Sequence, residues 1–284
     1  MKIGYIGLGH MGGPLARNLL RNGYTVKLFD LHKENIKRTM EAGKTGIAVS
    51  SADEMADCDV VFTSLPLPQH VLSTMTEGGL LDKMSKGSVF IDVSTIDPQT
   101  ALKIEKYAAD RGIGFLGCPL GKGPLQAERA EQPIFAGGQK EIFEKMKPLL
   151  EKVGSPVYYL GGVKQSYAFK LISNMVGMTD LAVLAEGIHV AEKAGLDGQQ
   201  FQELLAETGA NSAQLSMRGS SILEGDFSNK FGVDLALKDV RLGCEMAEGW
   251  GYEARFCKEA QGYYEKASAA GYGREDCNAV YKVL

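Results

Sequence analysis

The stretch Lys2-Ile3-Gly4-Tyr5-Ile6-Gly7-Leu8-Gly9-His10-Met11-Gly12-Gly13-Pro14-Leu15 decides the fold. Lys2–Ile6 reads as an apolar strand, and Pro14–Leu20 as an amphipathic helix. Between them Gly7, Gly9 and Gly12 stand in a G-x-G-x-x-G spacing. Such hexamers are common by chance, but the strand before and the helix after supply the context the motif requires. The first glycine permits a tight turn, the second lets a pyrophosphate approach the backbone, and the third lets helix and strand pack closely. The helix start then offers N–H groups and partial positive charge to phosphates, with Leu8, His10 and Met11 completing the loop. A second strand, Thr25–Phe29, leads to Asp30, 18 residues after Gly12. A carboxylate there accepts hydrogen bonds from ribose hydroxyls and repels a 2′-phosphate. NAD is therefore the expected cofactor. NADP stays possible, because Lys33, Lys37 and Arg38 follow closely. A glycine turn without a ligand would leave strand, helix and acid unexplained together.

Working outward, further β-rich runs are Val60–Thr63, Ser88–Ile91 and Gly114–Leu116, with Glu34–Glu41 and Pro98–Asp110 as amphipathic helices. Strand-helix alternation predicts right-handed crossovers and an α/β, doubly wound parallel sheet. Pro133–Ala136 and Val157–Leu160, around a helix at Glu141–Lys152, are expected to extend it. Ligands of such sheets bind at the carboxyl ends of strands. Leu65–His70 and Asp92–Pro98 are therefore the next candidate loops, with Asp97 also a helix cap before Pro98.

All nine prolines fall at or before Pro156. Proline is disfavoured inside helices, so the remainder reads as mostly helical. It opens with a long run from about Lys164 to Ala194, in which Phe169, Ile172, Val176, Leu181, Leu184 and Ile188 recur at near-helical spacing. Gln199–Thr208, Asp234–Trp250 and Ala254–Ala269 are further helices. The expected domains are 1–162 and 163–284. The first 163 residues carry 19 basic and 18 acidic side chains, the rest 12 and 17. A net charge of −4 argues against a nucleic-acid binder, and no apolar run approaches the ~18 residues of a membrane span. No targeting segment is expected, because Met1-Lys2 leads straight into a strand. Five cysteines without zinc spacing, and four scattered histidines, argue against a metal site and for a reducing, cytoplasmic compartment.

With these motifs in order, the chain resembles the β-hydroxyacid dehydrogenases, which include 3-hydroxyisobutyrate dehydrogenases, tartronate semialdehyde reductases and sulfolactaldehyde reductases. The resemblance spans nearly the whole length. It rests on IGLGHMGGPLARNL, SLPLPQHV, DVSTIDP, GCPLGKG, FKLISNM and DFSNKFGVDLALKDVRLG. It implies a Rossmann-type domain, a long interdomain helix and an all-α second domain. The implied reaction is reversible NAD(P)-linked oxidation of a β-hydroxy acid to a semialdehyde. It also implies Lys170 as the catalytic lysine, Asn174 beside it, and cofactor contacts at Leu65, Pro66, His70, Thr95 and Lys238. Two departures stand out. The substrate loop, usually Asp-Ala-Pro-Val-Ser-Gly-Gly, here reads Gly117-Cys118-Pro119-Leu120-Gly121-Lys122-Gly123. Gly121 and Lys122 thus replace the serine and glycine that help hold the substrate carboxylate. Sulfolactaldehyde reductases also lack that serine and carry a cation beside a glycine. Ser166 stands where a glycine is usual.

Hydride transfer to an aldehyde needs a proton donor at the developing alkoxide. Lys170 and Asn174, four apart, project from one helix face. A lysine, with a free pKa of ~10.4, suits this role if desolvation or a cation such as Lys122 or Lys238 lowers it. Asn174 would fix the substrate hydroxyl, and Lys122, with Gly121 and Gly123 on either side, a carboxylate or sulfonate. Lys238-Asp239 also reads as a surface ion pair. Cys118 has no base partner and reads as lining, while Met175, Met178 and Trp250 read as core. The expected substrate is a short anionic hydroxy acid or semialdehyde. The alternatives are a sulfonate-specific reductase and a non-catalytic nucleotide sensor. Apolar positions on more than one side of the long helix predict a homodimer or homotetramer.

Overall fold

The computed structural model describes residues 1–284. The chain forms two compact units, Met1–Lys170 and Leu171–Leu284. The first unit runs β1 (Lys2–Ile6), α1 (Gly12–Arg21), β2 (Thr25–Phe29), α2 (Lys33–Met40), β3 (Gly46–Ala48), β4 (Val60–Thr63) and α3 (Pro68–Met75). It continues with β5 (Val89–Asp92), α4 (Pro98–Ala109), β6 (Gly114–Gly117), α5 (Pro124–Glu128), β7 (Ile134–Gly138), α6 (Lys140–Val153) and β8 (Val157–Tyr159). The 31-residue helix α7 (Val163–Lys193) begins there and continues into the second unit, which adds α8 (Gly198–Ala206), α9 (Ala213–Leu223), α10 (Val233–Gly249) and α11 (Arg255–Ala267).

The eight strands form one sheet in the order β3-β2-β1-β4-β5-β6-β7-β8. The first six are parallel, but β7 runs antiparallel to β6, with β8 parallel to β7. The expected parallel sheet is therefore mixed at one margin. Only a loop and the five-residue α5 separate β6 from β7. Consecutive strand residues point to opposite faces. Tyr5, Phe62, Ile91 and Leu116 enter one core with Leu15, Leu19, Phe143 and Leu149. Ile6, Val61, Phe90 and Phe115 enter the other with Val71, Met75, Ile104 and Tyr167. Burial on both faces explains why these strands read as continuous apolar runs rather than alternating ones. Each fully buried large side chain contributes roughly 1.5–3 kcal/mol.

Asp97 accepts a hydrogen bond from the Thr100 N–H, so α4 starts as its Asp-Pro sequence implies. The second unit packs Leu181, Ala185 and Ile188 of α7 against Val233, Leu237 and Val240 of α10 and Tyr264 of α11. A Cβ at Gly243 would lie 2.3 Å from Met175 Cγ, so α10 crosses α7 closely there. Met175 and Met178 are core residues, as expected, whereas Trp250 is 49% exposed at the end of α10. The unit boundary after Lys170 lies eight residues beyond the expected one after 162. The first turns of α7 explain the difference: Val163, Ser166 and Tyr167 are buried, and the Ser166 hydroxyl lies 2.7 Å from Phe135 O and 3.1 Å from Gly117 O. Contrary to expectation, one segment, α7, is long and apolar enough for a membrane span by length and composition alone, with a mean hydropathy of 1.3 over its most apolar window. Of that window, 44% is buried inside the protein. All five cysteines are unpaired, and only Cys257 is not fully buried.

Candidate nucleotide and acid/base site

The strand order reverses direction between β1 and β4, and the loops after these two strands meet at that switch point. Gly7 has φ +89°, and a Cβ on it would sit 2.3 Å from Ser64 O. A Cβ on Gly12 would lie 2.0 Å from Gly7 O. Both glycines are thus required by the protein itself. Gly9 differs, because a Cβ there would meet no atom within 4 Å. The open space over Gly9 suits an approaching phosphate. No side chain caps the N-terminus of α1, and its first turn holds no acid. The charge of the helix end is therefore left for an anion.

Asp30 organises this loop. One carboxylate oxygen accepts the Leu8 N–H at 2.7 Å, and the other accepts the His32 N–H at 2.7 Å and the Asn35 amide at 3.2 Å. A carboxylate has about four lone-pair positions, so one remains for a ribose hydroxyl. Beyond its expected ligand contact, Asp30 therefore holds the turn. These residues fit an NAD-type dinucleotide. His10 and His70 are exposed, and Leu65 and Thr95 are half-buried on the neighbouring loops.

A buried carboxylate that the sequence did not reveal lies under those loops. Asp92, at the carboxyl end of β5, is wholly inaccessible. It accepts hydroxyl hydrogen bonds from Thr63, Ser94 and Tyr167, each 2.6 Å long. Ser94 Oγ in turn accepts the Leu65 N–H at 2.9 Å. Burial pushes the Asp92 carboxyl above its usual range, against the lowering effect of these donors. Tyr167, also buried, is raised well above an ordinary phenol. The available sequence signal was an acid closing the apolar run Val89-Phe90-Ile91.

In the segment 117–123, Cys118 is fully buried. Burial, with Asp92 nearby, raises its thiol far above the usual range, which removes it as a nucleophile. Gly121 is demanded by packing, since a Cβ there would lie 2.6 Å from Pro133 Cγ. Lys122 is exposed at φ +57°, and its ammonium makes a long 3.4 Å contact to Glu131 O. Gly123 has almost open surroundings. The segment is tied to the nucleotide helix through α5: Glu128 pairs with Arg17 and Arg21, and Asn18 bonds Ala127 O at 2.8 Å. The two guanidiniums, chiefly Arg17, push the Glu128 carboxyl down to about 2.

Lys170 is half-buried, one turn beyond the anchored Tyr167. In the second unit, Asn174 donates its amide to Asp239, and Lys238 lies 2.7 Å from the same carboxylate. The Lys238 and Asp239 side chains are only 16% and 3% exposed. The predicted surface ion pair is therefore a nearly buried one, and Asp239 joins two residues that were expected separately. No cluster of metal-ligating side chains is present.

A nucleotide-binding sheet followed by a helical unit, with a lysine on the connecting helix, defines a class of dinucleotide-dependent oxidoreductases. Residues 2–161 match the NAD-binding domain of 6-phosphogluconate dehydrogenase, and residues 165–284 match the NAD-binding domain of NADP-dependent 3-hydroxyisobutyrate dehydrogenase. The chain is 34% identical over 285 residues to 2-(hydroxymethyl)glutarate dehydrogenase of Eubacterium barkeri, covering 100% of this chain and 94% of that protein. It is 30% identical to the chloroplastic glyoxylate/succinic semialdehyde reductase 2 of Arabidopsis thaliana, covering 100% and 79%. The crystal structure of 3-hydroxyisobutyrate dehydrogenase from Salmonella typhimurium superposes with a TM-score of 0.90 at 27% identity, over 100% of both chains. The chain belongs to the β-hydroxyacid dehydrogenase family. It is an NAD(P)-dependent oxidoreductase that transfers hydride to or from a small hydroxy acid.

Proposed function

We propose that the protein interconverts a short, carboxylate-bearing β-hydroxy acid and its semialdehyde, with Lys170 as the proton donor and acceptor. The observation that carries this reading is the anchoring of α7 by Tyr167 to Asp92, at the carboxyl end of β5, the same end of the strands at which β1 leads into the Gly7–Gly12 turn. Lys170 follows one turn later. The bound nicotinamide supplies or accepts the hydride. In reduction, the Lys170 ammonium protonates the alkoxide oxygen formed on the former carbonyl. In oxidation, the neutral amine takes the hydroxyl proton. Asn174, whose amide donates to Asp239, is the residue proposed to orient the substrate hydroxyl. Asp30 favours NAD over NADP, because a 2′-phosphate would meet a carboxylate already fixed by two backbone N–H groups.

A sulfonate substrate is the second reading, and Lys122 is the observation that favours it. A lysine in left-handed backbone costs roughly 1 kcal/mol relative to glycine, and such strain clusters at ligand clamps. A panel of succinic semialdehyde, tartronate semialdehyde and sulfolactaldehyde, followed with NADH and NADPH in parallel, tests both readings. Preference for a carboxylate with NADH supports the first, and preference for sulfolactaldehyde replaces it by the second. Absence of NADH and NADPH oxidation on all three rejects both.

A second copy of the chain is the proposed partner. Val176, Val183 and Val190 of α7 lie seven residues apart and are 63%, 62% and 62% exposed. Seven-residue spacing is that of a helix–helix seam, and a symmetric pair would bury it twice over. Val183 and Val190 also line an apolar groove with Gly187, Ala194, Leu196 and Phe201. Val183→Asp should convert the assembly to 30.6 kDa monomers in light scattering with the fold retained. A native protein that is itself monomeric at micromolar concentration would end this proposal. The unpaired cysteines support a reducing compartment such as the cytoplasm.

A further inference from the structure

The Asp92 carboxylate does more than anchor α7. It is sealed from water, yet it is bonded to two arms that leave it in different directions. One arm runs through Ser94 Oγ to the Leu65 N–H, in the loop after β4 at the nucleotide switch point. The other runs through the Tyr167 hydroxyl to α7, one turn before Lys170. Thr63 supplies a third donor from the end of β4, and the Cys118 N–H bonds the Asp92 carbonyl oxygen at 2.7 Å. A core position at the end of an apolar strand gains nothing in stability from a carboxylate that a packed apolar side chain would not give. Three hydroxyls aimed at one buried carboxylate instead fix geometry, because each donor has one place to point.

We propose that Asp92 is a positioning residue that sets the nucleotide loop through Ser94 and the Lys170 helix through Tyr167. The two arms are separable, and that separates this role from a merely structural one. Ser94→Ala cuts only the loop arm. Tyr167→Phe cuts only the helix arm and keeps the buried ring. Asp92→Asn keeps the volume but offers one acceptor oxygen where three hydroxyls need two.

The role rests on the reading of Lys170 as acid/base only for the helix arm. Two readouts are therefore paired. In the cofactor-free protein, amide hydrogen exchange should rise at least about threefold in residues 64–70 for Ser94→Ala, and in residues 163–170 for Tyr167→Phe, each without the other. In turnover, Ser94→Ala should raise the NADH KM at least about fivefold with kcat within about twofold. Tyr167→Phe should lower kcat at least about tenfold, displace the kcat–pH profile, and leave the NADH KM within about twofold. Asp92→Asn should combine both patterns.

If the variants fold and exchange and kinetics stay native, the proposal is overturned. Equal losses of kcat and KM in both single-arm variants, tracking their melting temperatures, also overturn it by assigning a structural role. Should exchange split as expected while Tyr167→Phe leaves kcat intact, the helix arm fails. A Lys170→Ala control made alongside then shows whether the acid/base reading failed with it.

Discussion

Lys170→Ala should lower kcat by at least about 10²-fold in both directions, the low end for a positioned acid/base, with NADH affinity within about twofold of native. The two halves of this result have different causes. Alanine is the best helix former, so α7 keeps its backbone and its anchors at Ser166 and Tyr167. The dinucleotide turn and Asp30 form their bonds without Lys170, so binding survives. What is lost is the proton at the alkoxide. Steady-state turnover, together with NADH fluorescence titration, measures the two separately. Turnover near native would remove Lys170 from the chemistry and leave the nucleotide assignment standing.

The glycines of the turn should part company on substitution. Gly9→Ala places its methyl in open space, so stability should change by no more than about 0.5 kcal/mol. The same methyl occupies the room reserved for phosphate, and coenzyme affinity should fall at least about tenfold, or 1.4 kcal/mol. Gly12→Ala drives a methyl to within 2.0 Å of the Gly7 carbonyl oxygen, which is backbone and has nowhere to go. It should lose about 1–3 kcal/mol of stability as well as coenzyme binding. Melting curves and calorimetric titration of both variants check this contrast. A Gly9→Ala protein that bound coenzyme as native would show that the phosphate lies elsewhere.

Much of this architecture was legible because local and global signals agree. Lys2–Ile6, Thr25–Phe29 and Val60–Thr63 form strands over the residues expected, since each is apolar and bounded by glycine or polar loops. The three-residue β3 is too short and too exposed to show any pattern. α9 escaped because Ser216, Gly219, Ser220 and Ser221 dilute its helix propensity, although Ser212 caps it. The reversed direction of β7 left no local mark, because apolar alternation is the same for either orientation. In the candidate site, the glycines and Asp30 carry recognisable spacing, whereas Lys170 stands out only through the family resemblance. The Asp92–Tyr167 and Asn174–Asp239 pairings carry no such spacing, because their members are 75 and 65 residues apart along the chain.

The sheet that carries the turn ends on both sides in a strand of three residues, Gly46–Ala48 and Val157–Tyr159. A flank that short presents too few open amides and carbonyls to recruit a stranger's strand. The eight-stranded layer is thus self-terminating, with both flanks blunted against edge-to-edge pairing between copies.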